Sequence, residues 1–522
     1  MVRKDACREI IENLMKSEDL NHKKIDKIIK MICKKYDSTE MPTKVELLSV
    51  CKPEEKNKLK LFLRTKPSRT ISGVSVITIV AKPAPCPGTC IYCPKGFNAP
   101  QSYTGLEPAV QRGIRNNYDP FLQTKDRLNQ YKITGHSSDK IEVIILGGTF
   151  LALDEEYQEW FVKRMFDALN GKESESLEES QKLNETVKHR CVGLTIETRA
   201  DYCFENHINQ MLKLGTTRVE IGVQSIYPEV LKKVRRGHTV EDAIKATQLA
   251  KDFCLKCTYH VMPGLFTDFK KDLEQFKILF QDPRFKPDSL KIYPTLVIKG
   301  TKLYDLWKKS EYKPLTTEEG VKLISQAMKY IPKYCRVIRV QRDIPSDKVV
   351  VGIKKSNLRE LVEKECESKG IKIQEIRYRE VGHKLERGPL PDLDSVKLCR
   401  LDYDASNGKE IFLSFEDIKN DVLIGFLRLR IPFKPFRSEI DNRTGLVREL
   451  HVYGPTVPIG ITKERAWQHK GFGKKLLEES EKIAKEDFDM KKIVVISGVG
   501  TRQYYKKFGY KKNGLFVSKL LH

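Results

Sequence analysis

Apolar positions in the first 70 residues recur at helical spacing. Ile10-Ile11, Leu14-Met15, then Ile25, Ile28-Ile29 and Ile32 fall three or four residues apart, which predicts amphipathic helices with one buried stripe. From residue 74 to about 296 short β-branched runs alternate with helical or loop stretches, the pattern of βα units around a parallel sheet. Six strands are predicted, at 74–80, 142–146, 192–196, 218–223, 258–261 and 289–292. Each runs into residues able to do chemistry: Cys86 onward, Gly147-Gly148-Thr149, Glu197-Thr198-Arg199, Gln224-Ser225, Met262-Pro263-Gly264 and Tyr293-Pro294-Thr295. The C-terminal edge of a barrel sheet is its reaction face. One active site on an open or partial α/β barrel of six units, a partial (β/α)6 barrel, is therefore expected.

An irregular stretch follows, with a segment at 336–345 and a charged helix at 357–369, and closes on Gly388-Pro389-Leu390-Pro391, a predicted domain break. Beyond it come hairpin-like strands at 396–403, 410–415, 422–431 and 447–452, a helix near 471–486, a strand at 493–496 and a final helix and strand. The division expected is 1–72 helical, 73–310 barrel, 311–392 linker and 393–522 a second α/β unit.

A length of 522 residues fits this, since roughly 150 residues per domain argues for about three domains. With 40% apolar and 32% charged residues the chain reads as globular, neither disordered nor fibrous. Lys and Arg outnumber Asp and Glu by 95 to 70, a net charge of +25. That excess points to a polyanionic partner, most simply nucleic acid; an anionic membrane surface or plain solubility also fits. The first 70 residues hold 18 Lys/Arg against 11 Asp/Glu, which suits either a solvated cap or a direct nucleic-acid contact. No apolar run approaches the roughly 18 residues of a spanning helix, and no signal core follows Met1. A cytoplasmic chain with no membrane partner is expected. Thirteen cysteines in a reducing compartment point to buried thiols or a metal site.

The strongest chemical signal is Cys86-Pro87-Gly88-Thr89-Cys90-Ile91-Tyr92-Cys93. Three thiolates on one short loop converge on a soft metal centre, either an iron–sulfur cluster or zinc. A four-iron cluster held by three cysteines leaves one iron open. The spacing resembles that of the radical S-adenosylmethionine enzymes, and the resemblance implies a [4Fe-4S] cluster whose open iron chelates S-adenosylmethionine. Gly147 and Gly148 then resemble that family's glycine motif, which binds the cofactor's ammonium group, with Thr149 beside them. Glu197 and Arg199 suit its sulfonium, ribose and carboxylate, although a salt bridge at the sheet rim explains the same pair. Gln224, His260 and Lys291 are further candidates at the barrel edge, and for His260 alone a satisfied core histidine is the simpler reading.

A second constellation is Glu449-Leu450-His451-Val452 followed by Gln468-His469-Lys470-Gly471-Phe472-Gly473 and an amphipathic helix. Bare N–H groups at a helix N-terminus, beside cationic Lys470 and Lys474, make a pyrophosphate site. This resembles motif A of the GNAT acetyltransferases, which implies acetyl-CoA as co-substrate. Tyr504 and Tyr505 fall where that family keeps a phenol near the thioester sulfur; a tyrosine hydroxyl can protonate a departing thiolate. Core packing explains either tyrosine equally well.

Both motifs together resemble the family of Elongator catalytic subunits, which modify tRNA. Supporting stretches are 66–74, 101–105, 118–120, 339–345 and 496–502, so the likeness runs from about residue 60 to the end. It implies that Lys140 contacts acetyl-CoA, that the N-terminal region binds tRNA, and that the partner is the anticodon stem-loop, with Elongator-type subunits or a homodimer as further partners. The implied reaction is carboxymethylation of the wobble uridine at carbon 5. The 5′-deoxyadenosyl radical removes hydrogen from the acetyl methyl group, the carbon radical adds to the base, and thioester hydrolysis releases CoA. Basic aromatic stretches at 333–336 and 377–379 are candidate tRNA contacts. Some members of that family hold zinc in the linker through a cysteine cluster; here only His383 offers a ligand nearby, with Cys335 and Cys399 distant in sequence, which leaves a linker zinc open, and Cys254 and Cys257 read as buried thiols. Two other readings stay open. One is a protein lysine acetyltransferase with a structural iron–sulfur domain, using Glu449 or His451 as base. The other is a non-catalytic RNA-binding scaffold.

Overall fold

The computed structural model describes residues 2–18, 20–38, 40–65, 70–384, 391–454 and 471–522. The start of the stretch at 66–74, most of the predicted break at 388–391, and Gln468, His469 and Lys470 of the second constellation lie outside the described residues.

Seven strands stand side by side in chain order, all parallel: Ser75–Val80, Lys140–Leu146, Arg190–Thr198, Arg218–Gln224, Lys256–Val261, Ser289–Ile292 and Arg336–Val340. The first six are those expected. The seventh, Arg336–Val340, comes from the span read as linker and extends the half-barrel by one strand. Parallel strands need a crossover, and each has a helix: Pro120–Ile133, Glu155–Asn170, Glu205–Leu214, Val240–Asp252, Phe269–Gln281 and Thr317–Ala327. Several start on a side-chain cap that satisfies an orphan N–H: Asp119 accepts from Leu122, Asp268 from Lys271, and Thr239 and Thr316 close capping boxes with Asp242 and Glu319. Because the strands are covered by helices, their outward residues are as apolar as a core requires: Val143, Ile145, Leu194, Ile196, Val219 and Ile221 are all fully buried.

The second sheet has the order Val396–Ala405, Gly408–Asp417, Val422–Ile431, Thr444–Val452, Lys492–Val495, Phe516–Leu520, Lys511–Asn513. Only Thr444–Val452 and Lys492–Val495 run parallel, and the helix Phe472–Glu486 covers the sheet by burying Leu476, Leu477 and Ile483. Three arginines of this sheet, Arg428, Arg430 and Arg448, are almost wholly buried against the barrel. Arg448 forks onto Asp288 at 2.7 and 2.8 Å and reaches Glu410 at 2.8 Å, while Arg430 meets Asp252 at 2.6 Å. The segment after Lys492–Val495 lies directly on the third barrel strand: a Cβ on Gly498 would come within 2.2 Å of the Val192 carbonyl oxygen. The stretch 496–502 is thus a joint between the two sheets.

The N-terminal helices Val2–Lys16, His22–Lys35, Lys44–Val50 and Pro53–Leu63 enclose a separate small core of Ile10, Ile11, Leu14, Ile25, Ile32 and Leu47. Helix His22–Lys35 turns Ile25, Ile29 and Ile32 inward and Lys23, Lys27, Lys30 and Lys34 to solvent. No helix among the described residues is long and apolar enough to cross a membrane.

Candidate functional site

Cys86, Cys90 and Cys93 line one cavity of about 180 Å³ at the C-terminal ends of the barrel strands. Gly88 leaves room there for Arg199, whose Nη1 would stand 2.0 Å from a Cβ on it. The Gly88 N–H donates to Cys86 Sγ at 3.4 Å, and Arg236 Nη1 donates to Cys90 Sγ at 3.5 Å. A hydrogen bond from Cys93, with Arg236 beside it, lowers the Cys90 thiol below its ordinary value against the opposing effect of burial. Two of the sulfurs, Cys86 and Cys90, thus accept N–H donors, one from a buried cation, as suits anionic thiolate ligands, while Cys93 is held well above the ordinary thiol range by its contact with Cys90 and by burial. No fourth cysteine lines this cavity among the described residues, so a cluster held here would keep one position for a non-protein ligand.

Around the cysteines the cavity collects the expected strand ends. Gly148, Thr149, Glu197, Arg199, Gln224, His260 and Lys291 all line it. Thr149 Oγ1 sits 3.6 Å from Cys86 Sγ. Gly147 does not line the cavity; its φ of 146° and its close approach to Ala81 make it a packing glycine. Arg199 donates twice to Asp201, at 2.9 and 2.8 Å, and its Nη1 is buried without a partner, a donor left over for a ligand carboxylate. Glu197 accepts from Lys291 at 2.8 Å and from Tyr103 at 3.2 Å. Glu197, Glu220 and His260 are close enough together to hold a cation, but Lys291 Nζ already lies between the two carboxylates and supplies that charge. His260 lies 2.9 Å from Glu220 Oε2, so it is a bonded interior histidine.

A second cavity, about 960 Å³, opens between the barrel's other end and the second sheet. Lys140, Glu449, Leu450, His451, Val452, Gly473, Tyr504 and Tyr505 line it. Burial lowers the Lys140 ammonium from its ordinary value. Gly471 caps the helix Phe472–Glu486 with φ of 78°, and among the described residues nothing stands within 4 Å of where its side chain would be; the first N–H groups of a helix find no partner within it. Phe472 instead packs on Phe415, ring centroids 4.8 Å apart. The Tyr504 hydroxyl faces the helix start, where a Cβ on Gly473 would stand 2.6 Å from it, while Tyr505 is buried among Tyr504 and Tyr510. Glu449 does not fit the role of base. Burial alone would raise its carboxyl, but Lys256, Arg428 and Arg218 hold it at about 2, with Arg428 Nε at 2.9 Å. His451 is lowered by burial and has Nε2 at 3.2 Å from the Ser72 carbonyl.

Much of the two basic stretches offered as candidate RNA contacts is engaged inside the protein, although Lys333 keeps exposed surface and Arg377 lines the second cavity. Tyr334 stacks on Tyr403 at 4.0 Å, Arg336 pairs with Glu380, and Arg379 is fully buried against Glu416 and Asp421. Charge in the sequence does not tell a solvated cation from one with a distant carboxylate. Cys254 and Cys257 are fully buried, and burial pushes both thiols up to about 12. His383 lies 3.3 Å from Glu380. Residues missed by sequence reading are Arg236, Tyr103 and Glu220. A signal for Glu220 was present: Arg218, Glu220 and Gln224 are polar at alternate positions of a strand otherwise apolar.

Known proteins resemble the chain throughout. Residues 85–279 match the Radical SAM superfamily, 287–368 a radical SAM C-terminal domain, 379–510 the Acetyltransferase (GNAT) family and 3–71 the ELP3 N-terminal domain. A tRNA uridine(34) acetyltransferase of Methanocaldococcus jannaschii is 54% identical over 98% of this chain and 96% of its own length. Elongator complex protein 3 of Homo sapiens is 43% identical over 99% and 96%. The solved structure of Methanocaldococcus infernus Elp3 with an N-terminal deletion of residues 1–46 superposes with a TM-score of 0.78 at 53% identity, covering 87% of this chain and all of that one.

Proposed function

The chain belongs to the Elongator complex protein 3 family, and from that premise we propose that it carboxymethylates carbon 5 of uridine 34 in tRNA, using S-adenosylmethionine and acetyl-CoA. The observation that carries this reading is the pairing of two cavities on one barrel, one lined by three cysteines and the other by the glycine-started helix with Tyr504. Cys86, Cys90 and Cys93 would hold the [4Fe-4S] cluster, which with S-adenosylmethionine supplies a one-electron route to hydrogen abstraction. Arg199 Nη1 binds the cofactor carboxylate, and Glu197, fixed by Lys291 and Tyr103, orients the ribose. The buried wall keeps water and stray hydrogen donors away. At the other end Lys140 and the first N–H groups after Gly471 hold acetyl-CoA, and the Tyr504 hydroxyl, which burial pushes up to about 12, keeps its proton to give to the departing thiolate. Glu449 acts by positioning Arg428, Lys256 and Arg218. The tRNA partner is engaged through charge and stacking at the anticodon stem-loop. The protein works in the cytoplasm, with Elongator-type subunits or a second copy as further partners.

Lysine acetylation is the weaker reading, because its two candidate bases are an ion-paired carboxylate and a buried histidine bonded to a backbone carbonyl. Iron–sulfur reconstitution of the Cys86→Ala/Cys90→Ala/Cys93→Ala variant tests the proposal. It is expected to give no brown absorbance, no S-adenosylmethionine cleavage and no modified uridine, while salt-sensitive tRNA binding persists. Undiminished modification by that variant would refute the assignment.

A further inference from the structure

The two cavities are ends of one barrel lumen. Successive residues of a strand point to opposite faces, so every second residue of a barrel strand faces inward, about 7 Å further along. Along Lys140–Leu146, Lys140 and Glu142 line the larger cavity, Leu146 and then Gly148 line the smaller, and Ile144 lines both. Along Arg218–Gln224 the change falls one step on: Arg218 and Glu220 line the larger cavity, Gly222 and Gln224 the smaller. One layer of side chains therefore separates the space beside Tyr504 from the space beside the cysteines.

That layer is unevenly held. Glu220 Oε2 is tied to the smaller cavity's residues, lying 2.9 Å from His260 and against Lys291, whereas its Oε1 is buried without a donor. An unpartnered carboxylate oxygen is costly in a dry interior, and as an acceptor it can take an N–H donor arriving in the lumen, which the acyl thioester itself lacks. Ile144, which lines both cavities, is aliphatic and can change rotamer without stranding a polar atom.

We propose that the acyl end of acetyl-CoA reaches the cysteine-lined cavity through the lumen, past Ile144 and Glu220, and not around the outside of the barrel. Ile144, which lines both cavities, is then the positioning residue that sets which acyl groups arrive. The inference rests on the acetyl-CoA reading above and deepens it.

Calorimetric titration of the full chain with CoA, acetyl-CoA and butyryl-CoA, in the presence of tRNA, tests the route without any cluster chemistry. Ile144→Ala is expected to favour butyryl-CoA over acetyl-CoA by about tenfold relative to wild type, from the buried methylenes it admits, with CoA itself unaffected. Ile144→Trp is expected to weaken both acyl-CoAs and spare CoA, and its melting temperature reports whether it folds. In reconstituted enzyme given acetyl-CoA deuterated at the methyl group, Ile144→Trp is expected to form 5′-deoxyadenosine that carries at least tenfold less deuterium. Wild-type CoA binding with no acyl-length response in Ile144→Ala, or unchanged deuterium transfer in Ile144→Trp, would overturn the route alone. Failure of the wild type to bind CoA would overturn the acetyl-CoA reading instead.

Discussion

Gly473 and Tyr504 are matched to one another: the space a Cβ would fill on the glycine is taken by the phenol. With its hydroxyl pushed up to about 12 by burial, Tyr504 stays protonated across the neutral range and so has a proton to donate. Tyr504→Phe removes that donor and little packing, so product formation is expected to fall roughly a hundredfold, the lower end of general-acid effects, with an unchanged melting temperature. Gly473→Ala is expected to displace the ring and also to weaken CoA binding. A Tyr504→Phe enzyme that turns over at the wild-type rate would remove the hydroxyl from the reaction.

The element that ties the two sheets together is the strand Thr444–Val452, whose Arg448 bridges Asp288 of the barrel and Glu410 of its own sheet. Arg448→Ala leaves two buried carboxylates short of their cation, at a cost of about 3–5 kcal/mol, measurable as a lower denaturation midpoint. Acid should undo the same joint. Burial opposes ionisation of Asp288 and Glu449, but the arginines and lysines around them win, so Asp288 lies well below the carboxylate range and Glu449 at about 2. Their stabilisation is complete above the unfolded carboxylate pKa of about 4 and is lost as pH falls toward about 2. Stability measured between about pH 5 and pH 2 is expected to drop steeply, and less steeply in Glu449→Gln. Periodicity exposed six of the seven barrel strands, since alternating apolar runs are local. It missed Arg336–Val340 because Arg336 and Arg339 interrupt the run, and their carboxylate partners Glu380 and Asp343 identify them only once the chain is folded. The cysteine and glycine motifs were legible for the same local reason. Arg236 and Tyr103 were not, because their partners are brought in from elsewhere in the chain, and Glu220 showed only as a polar position on an otherwise apolar strand.

For the whole molecule, the net charge of +25 finds its clearest exposed expression in the lysine face of helix His22–Lys35 on the separately cored N-terminal cap. A chain beginning after residue 63 is expected to keep the barrel and second sheet, bind tRNA more weakly, and show a shallower dependence of log affinity on log salt. An unchanged salt slope would move the RNA surface elsewhere. The lumen proposed to join the cysteine-lined cavity to the cavity beside Tyr504 would give the chain one reaction to perform with both. The most direct measurement is mass spectrometry of tRNA nucleosides after anaerobic turnover with acetyl-CoA labelled at both acetyl carbons. The expected product is uridine 34 bearing both labelled carbons at carbon 5, dependent on S-adenosylmethionine. Labelled acetyl groups on protein lysines with unmodified uridine would contradict it.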